Sequence, residues 1–248
     1  MHVVGRVQRI YRYPVKSMAA EPLARCSLGW NGLEGDRRFA FSRVGNASGF
    51  PWLTGRNLRN LIRYRPYFTE PEAQSGTGLR VITPDGEEVE LSSPELRDQI
   101  AAAYGGDVEL IHVDRGIFDE AHVSVISTDS IDAVQKEAST FLDERRFRPN
   151  LLIATRDSAP FSEEEWVGRV LTFGEGSDAP SVSVTHRDKR CVMINLDPET
   201  AEADATVLKT VVRVRSSCAG VYGAVVRTGV IEEGSLIFCN GPDESVSD

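Results

Sequence analysis

The sequence is short of the features that mark membrane, secreted and metal-cluster proteins. It has no run of about 18 apolar residues that would span a membrane, and its first residues carry no apolar stretch that directs secretion. The four cysteines stand without the C-x-x-C spacing of zinc and iron–sulfur sites. Neither a G-x-G-x-x-G fingerprint nor a P-loop occurs. We therefore expect a cytoplasmic protein that does not use a membrane.

Positive charge is also in short supply. The 28 Lys and Arg residues are outnumbered by 37 Asp and Glu, which gives a net charge of −9. Nonspecific binding to nucleic acid or to an anionic membrane needs an extended basic surface, so neither is an expected partner. Any anion site must be local. The length of 248 residues and the hydrophobic content of 41% allow one large domain or two modest ones with a sizeable core.

Cys191 has the sequence surroundings of a working thiol. It directly follows four charged residues, Arg187 to Arg190, of which three are basic. The thiolate is the form of cysteine that attacks or ligates, and adjacent Lys and Arg charges favour it. Cys191 is therefore a candidate catalytic residue and metal ligand. The alternative is a buried cysteine that serves as a small apolar residue, and the local sequence supports both equally.

Two further segments offer donors for an anion. Lys16 and Ser17 follow the strand predicted at 3–13, and their ammonium and hydroxyl groups suit phosphate oxygens. Thr54 and Arg56 stand near the end of a loop-like stretch and offer a hydroxyl and a guanidinium. The alternative for each pair is a solvated surface without a ligand.

A cluster of arginines precedes a buried strand in the second half of the chain. Arg148 is followed by a proline and Asn150, and then by the apolar run 151–154. Because proline interrupts helices, these polar residues are predicted to sit in a loop that leads into the strand. Ser127 is the predicted N-cap region of a helix over 131–141.

Short strands with Gly-containing turns and few helices predict an α+β fold that is mainly β. Strands at 3–13 and 23–28 and a third that enters at 36–41 are close enough in sequence to predict an antiparallel meander. The turn residues Pro-Asp-Gly predict a hairpin over 79–91.

The remaining elements complete this architecture. A helix is predicted at 93–104, where Ser and Pro stand at its start. The strands 221–226 and 229–238 are predicted to form a hairpin that closes a barrel. The stretch 114–121 is the best candidate for a seam between two domains.

These segments, in this order, resemble the MOSC family, the C-terminal domain of molybdenum cofactor sulfurase. The resemblance spans nearly the whole chain and is strongest to the subfamily that contains the mitochondrial amidoxime-reducing component. The residues that carry it are 13–17, 36–39 and 54–56 in the first half, and 147–151, 164–166, 190–191 and 197–200 in the second. The resemblance implies an N-terminal MOSC β-barrel domain at 1–114, a MOSC domain at 115–240 and a flexible tail at 241–248.

The resemblance also implies a cofactor and a site. Cys191 corresponds to the protein thiolate on molybdenum, and the cofactor is the molybdenum cofactor, in which molybdopterin carries the metal. Its pyranopterin and phosphate are predicted to contact Lys16, Ser17, Arg37, Thr54, Arg56, Ser127, Arg148, Asn150 and Arg190. The family is further associated with pyridoxal phosphate binding.

The function implied is reduction of small N-hydroxylated or N-oxide substrates by oxygen-atom abstraction. The sequence has no cysteine-rich ferredoxin domain after its last strands, so the electrons are expected from a separate ferredoxin-, flavodoxin- or cytochrome-type protein. Two alternatives remain open. The chain could be a non-catalytic cofactor carrier or sulfur-transfer module, or a structural member of the family with an empty pocket.

Overall fold

A computed structural model describes residues 1–69 and 78–240, so the predicted tail at 241–248 lies outside the described residues. The strands are β1 (His2–Arg12), β2 (Glu21–Leu23), β3 (Arg25–Gly29), β4 (Gly32–Leu33), β5 (Phe39–Arg43), β6 (Arg65–Phe68), β7 (Leu79–Ile82), β8 (Glu88–Glu90), β9 (Val108–His112), β10 (Val123–Ser127), β11 (Leu151–Thr155), β12 (Val170–Phe173), β13 (Ser181–Lys189), β14 (Cys218–Arg227), β15 (Gly229–Glu232) and β16 (Leu236–Cys239). The α-helices are α1 (Pro94–Tyr104), α2 (Thr128–Ala138) and α3 (Ala205–Arg215), and 3₁₀ turns occur at Arg59–Arg63, Glu144–Phe147, Ser162–Trp166 and Val192–Asn195.

Seven strands form a closed barrel in the order β11, β10, β14, β13, β12, β16 and β1, and β1 returns to pair with β11. The β10–β11 pair is parallel, and its neighbours are antiparallel. The strand β2 extends the sheet beside the end of β1. The prediction of a mainly β fold with a barrel and a few short helices is confirmed.

The barrel does not close in the way predicted. The proposed hairpin of 221–226 with 229–238 is wrong, because β14 pairs with β10 and β13, whereas β15 pairs with β3 and β16 with β1 and β12. The chain bends at Gly229, whose φ of 156° and close contact with Pro180 leave little room for a side chain. A turn signal shows that the chain bends but does not identify the partner strand.

Successive side chains along the barrel strands pack alternately into two different hydrophobic cores. Leu151 and Ile153 of β11 point into the barrel interior, together with Val125 of β10. Leu152 and Ile126 point outward, where they pack against α2 and α3. This period of two is the pattern of a strand buried on both faces, and it accounts for the continuous apolar run at 151–154.

The described residues between β1 and β10, apart from β2, β3 and β4, form an N-terminal lobe with its own core. The lobe contains the β5–β9 pair, the β6–β7–β8 sheet and α1, packed around side chains such as Phe41, Leu61 and Ile100. The hairpin predicted over 79–91 is confirmed as β7 and β8, but the meander is wrong beyond β1–β2, since β3 pairs with β4 and β15. The division into 1–114 and 115–240 stays a prediction, and β1 belongs to the barrel.

Ser127 begins α2 as its N-cap, as predicted. Its hydroxyl accepts a hydrogen bond from the Ser130 backbone N–H at 3.1 Å and donates to the buried Glu163 carboxylate at 2.9 Å. The helix ends at Ala138 and not at 141, because Ser139 adopts a left-handed φ of 53°. Within 1–69 and 78–240, no helix is long and apolar enough to cross a membrane.

We expect Ser127→Ala to lower the free energy of unfolding by about 2 kcal/mol, because it removes a helix cap and leaves a buried carboxylate without one of its donors. Urea unfolding measures the change. The matched control is Ser93→Ala, which removes the N-cap of α1 without a carboxylate partner and should cost about 1 kcal/mol or less. Equal losses in the two variants would contradict the role of Glu163.

Candidate functional site

A cavity of about 280 Å³ lies between the N-terminal lobe and one end of the barrel. Loops that are far apart in the sequence meet there, including the exits of β1 and β13 and the entry to β11. Most of the residues predicted to bind a cofactor or metal line this site cavity, namely Lys16, Ser17, Arg37, Thr54, Arg56, Arg148, Arg190 and Cys191. Their roles toward a ligand remain predictions.

Lys16 is a buried cation held by a neighbouring loop. Its ammonium group donates to the Ile117 carbonyl at 3.0 Å and to the Asp119 carboxylate at 2.7 Å. Burial lowers the pKa of Lys16. Burial opposes ionisation of Asp119 too, but the charge and hydrogen bond of Lys16 hold the pKa of that carboxyl below its usual range. Asp119 therefore lies where an anionic ligand of Lys16 would bind.

Arg37 and Arg148 share an aromatic support. Their guanidinium carbons lie 4.7 Å and 4.3 Å from the centre of the Tyr13 ring, which is within the range of a cation–π contact. Arg37 also pairs with the fully buried Asp36. Arg148 donates to the Met18 carbonyl at 2.8 Å, and burial lowers its pKa. Two like charges are thus held side by side in one wall.

Three of the residues predicted to hold the cofactor have an unusual backbone. Ser17, Arg37 and Arg148 have φ values of 64°, 51° and 49°, in the left-handed region that residues other than glycine rarely adopt. Such conformations cost about 1 to 3 kcal/mol each and are concentrated at functional sites. Arg148 adopts this conformation as the residue that ends the 3₁₀ turn Glu144–Phe147, and six other described residues outside the cavity share it, so the conformation alone does not mark the site.

Cys191 lies half-buried in the site cavity, between β13 and the 3₁₀ turn Val192–Asn195. A hydrogen bond with the Cys191 sulfur, together with its charge, raises the pKa of Arg56. The other thiols differ. Cys26 and Cys239 are buried in the barrel core, and burial raises the pKa of both thiols, to about 11 for Cys26. Among the described residues, Cys191 is the cysteine that lines the site cavity.

Arg190, directly before Cys191, is held by the protein on several sides. Its guanidinium donates to the Phe147 carbonyl at 2.6 Å and to the Ala219 carbonyl at 2.7 Å, and it pairs with Asp188 at 2.9 Å. Burial raises the pKa of Asp188, and Arg190 opposes that rise. These contacts hold in place the part of the cavity wall that directly precedes Cys191.

Two predicted cofactor contacts lie outside the cavity wall. Asn150 is fully buried behind it, where its amide oxygen accepts from Arg37 at 3.4 Å and its amide nitrogen donates to the Tyr11 carbonyl at 3.2 Å. It therefore positions Arg37 and does not face a ligand. The contact of Ser127 with the cofactor stays a prediction; in the structure its side chain is fully buried and is used by α2 and Glu163.

The sequence reasoning missed part of the cavity. The stretch 114–121 was predicted to be a domain seam, but Phe118, Asp119, Glu120 and Ala121 line the cavity. Tyr222 lies in the opposite wall, on β14. An acidic residue in a loop carries no sequence signal for such a place, since its contact with Lys16 spans 103 positions. Within 1–69 and 78–240, no three His, Cys, Asp or Glu side chains are grouped to hold a metal ion.

Comparisons with known proteins match both halves of the chain. The family model described as the MOSC domain matches residues 106–237, and the one described as the MOSC N-terminal beta barrel domain matches residues 4–144. Among solved structures, the YUAD protein from Bacillus subtilis has a TM-score of 0.50 at 10% identity, with 94% of each chain covered. That similarity shows the fold alone.

Two further structures are more distant. YiiM from Geobacillus stearothermophilus has a TM-score of 0.37 at 13% identity, with 48% of this chain and 54% of that chain covered. A hypothetical protein has a TM-score of 0.45 at 10% identity, with 98% of this chain and 71% of that chain covered. A comparison with curated proteins gives no match.

We expect Asp119→Asn to bind inorganic phosphate about three- to tenfold more tightly than the wild type, because phosphate no longer competes with an internal carboxylate for Lys16. Isothermal titration measures the affinity. The control Glu120→Gln removes the same charge from the next residue, which contacts His186 at 3.1 Å, and it should have a smaller effect. Equal strengthening of phosphate binding in both variants would mean that the loss of one negative charge near the cavity causes the change, and not the loss of the Asp119 contact with Lys16.

Proposed function

Because the chain belongs to the MOSC family, whose domains are associated with molybdenum cofactor binding, we propose that it binds this cofactor in the site cavity and reduces N-hydroxylated or N-oxide substrates. The observation that carries the proposal is the meeting of a half-buried thiol, Cys191, with the buried Lys16 and the half-buried Arg148 in one cavity. The metal of such a cofactor needs a soft donor, and the phosphate of its pterin needs positively charged side chains.

The cations of the cavity fit the phosphate end of the cofactor. Lys16 and Arg37 are each neutralised by an aspartate, whereas Arg148 is held only by the Met18 carbonyl and the Tyr13 ring among the described residues. A phosphate that displaced Asp119 would meet Lys16 and Arg148 together. Charge-assisted hydrogen bonds of this kind contribute about 1.5 to 3 kcal/mol each.

The thiol fits the metal end. Cys191 supplies a soft sulfur donor of the kind that a metal already bound by dithiolene sulfurs accepts. Arg56 interacts with this sulfur and lines the same cavity. The cofactor, when bound, supplies two-electron oxygen-atom chemistry, and the protein supplies binding, orientation and access.

The proposal includes a partner and a compartment. The electrons would come from a separate ferredoxin-, flavodoxin- or cytochrome-type protein, and the substrate would be a small molecule that reaches the cavity from solvent. The cytoplasm is the compartment proposed. Neither nucleic acid nor a membrane is a proposed partner, and pyridoxal phosphate binding stays a prediction.

Molybdenum content per chain tests the ligand assignment. We expect the wild type to retain molybdenum when it is produced in a host that makes the cofactor, and Cys191→Ala to lose most of it. Among the described residues, alanine removes the only sulfur that lines the cavity besides the Met193 thioether. Cys218→Ala is the matched control, since Cys218 is a half-buried thiol outside the cavity lining. Equal metal loss in both variants would contradict the assignment.

A second measurement separates an enzyme from a carrier. Reduction of an amidoxime by the loaded wild type with an artificial electron donor supports the enzyme. A loaded protein that gives no turnover would support the alternative, a cofactor carrier or sulfur-transfer module. A third outcome is that the protein never acquires the metal in a host where a known molybdenum enzyme does. That result would support the remaining alternative, a structural member of the family with an empty pocket.

A further inference from the structure

A second cleft lies next to the site cavity and has a composition of its own. Its volume is about 120 Å³, and it shares Arg146, Arg148 and Met193 with the site cavity. Both halves of the chain contribute to it, since 19–20 and 62–65 come from the N-terminal lobe. We propose that this arginine cleft binds a small organic acid, in which a carboxylate or phosphate group is carried on an apolar body.

The cleft has more positive charge than the protein neutralises. Five arginines and a single glutamate line it, in a chain whose net charge is −9. Two of these arginines have carboxylate partners. Arg145 pairs with Asp143 and with Glu199, and Arg146 pairs with Asp197 at 2.8 Å. The remaining three are therefore the ones available to an anion.

Within 1–69 and 78–240, Arg63, Arg65 and Arg148 form no salt bridge. Arg63 is oriented by neutral acceptors, the Asn60 side-chain oxygen at 3.1 Å and the Pro84 carbonyl at 3.5 Å. Arg148 is oriented in the same way by the Met18 carbonyl. Neutral acceptors fix the direction of a guanidinium without cancelling its charge, so these groups are ordered in advance for a carboxylate or phosphate.

The floor of the cleft is apolar. Ile62 and Leu196 are almost fully buried there and pack in one hydrophobic cluster with Ala201, and Met193 packs against that cluster. A cleft with an apolar floor and oriented charges at its rim selects a ligand with the same division. An inorganic anion would contact the arginines alone, whereas an acid with an apolar body would also contact the apolar lining of the cleft.

The position of the cleft connects it to the proposed reaction. Met193 belongs to the 3₁₀ turn that begins directly after Cys191, and Arg148 forms part of both walls. On the basis of the proposed function, the cleft would hold the acidic end of a substrate whose N-hydroxylated end enters the site cavity. The preferred substrates would then be N-hydroxylated compounds that carry an acid group.

Titration of the cofactor-free chain with benzoate, and with the neutral benzamide as a comparison, tests the cleft without any turnover. We expect benzoate to bind the wild type measurably and benzamide to bind at least tenfold more weakly. The double variant Arg63→Gln with Arg65→Gln should bind benzoate about tenfold more weakly than the wild type, because two of the three unpaired guanidinium groups are gone. Circular dichroism checks that it is folded.

Arg59→Gln is the matched control. Arg59 lies in the same 3₁₀ turn as Arg63, is exposed, and does not line the cleft. Its loss should leave benzoate affinity within about twofold of the wild type, since an exposed charge outside the site acts only through the screened field. Two results would contradict the proposal that the cleft binds an acid. One is an equal loss of benzoate affinity in Arg59→Gln and in the double variant, and the other is a wild type that binds benzoate no better than benzamide.

A second comparison distinguishes failure of the cleft from failure of the proposed function. In the metal-loaded protein, kcat/KM for 4-carboxybenzamidoxime should exceed that for benzamidoxime, and the ratio should fall toward one in the double variant. A loaded protein that is active on both substrates with a ratio near one would overturn the substrate class alone. Benzoate binding in a chain that never acquires molybdenum would support the cleft as an acid-binding site and would contradict the proposed function.

Discussion

The pairing of β1 with β11 is the contact on which both the barrel and the site depend. The two strands pair from Gly5 to Ile10, and the Tyr11 backbone N–H continues the contact by donating to the Asn150 carbonyl at 2.8 Å. This pairing closes the barrel. It also fixes the point at which the chain leaves the barrel, so Lys16 lines the same cavity as Arg148, which lies three residues before the start of β11. One row of backbone hydrogen bonds therefore brings together cations that are 132 positions apart in the sequence.

Burial of cations in an acidic protein explains much of the local arrangement. A buried charge is costly unless it is paired, and the walls pair most of theirs: Lys16 with Asp119, Arg37 with Asp36 and Arg190 with Asp188. These pairs differ in exposure. The Asp36 and Asp188 side chains are almost fully buried, whereas that of Asp119 is 64% exposed. A ligand can displace the exposed carboxylate into water at little cost, while the buried ones stay as parts of the wall. Anion binding at Lys16 is therefore an exchange of one negative group for another.

The sequence predicted the classes of elements better than their partners. Hairpin β7–β8 and helix α1 were predictable because their signals are local, a Pro-Asp-Gly turn and a Ser-Pro start. The predicted last hairpin failed because β15 takes its partner, β3, from the other end of the chain. In the site, eight of the ten residues predicted to hold the cofactor or metal line the cavity. Asn150 and Ser127 do not line it, since a motif position does not reveal whether a side chain faces a cavity or the core. Asp119 was missed because an acidic residue in a loop carries no sequence signal for a contact 103 positions away.

Arg148 is one of three residues that the two cavities share, and its chemistry explains why an arginine suits the position. Its guanidinium lies over the Tyr13 ring, donates to the Met18 carbonyl from one nitrogen, and borders both cavities. A guanidinium has five N–H donors in a rigid plane, so one group can be anchored and still offer hydrogen bonds in two directions. A lysine ammonium is a compact charge on a flexible stem and could serve one cavity at a time. Anions in the two cavities would share this cation, and each would reduce the electrostatic gain available to the other.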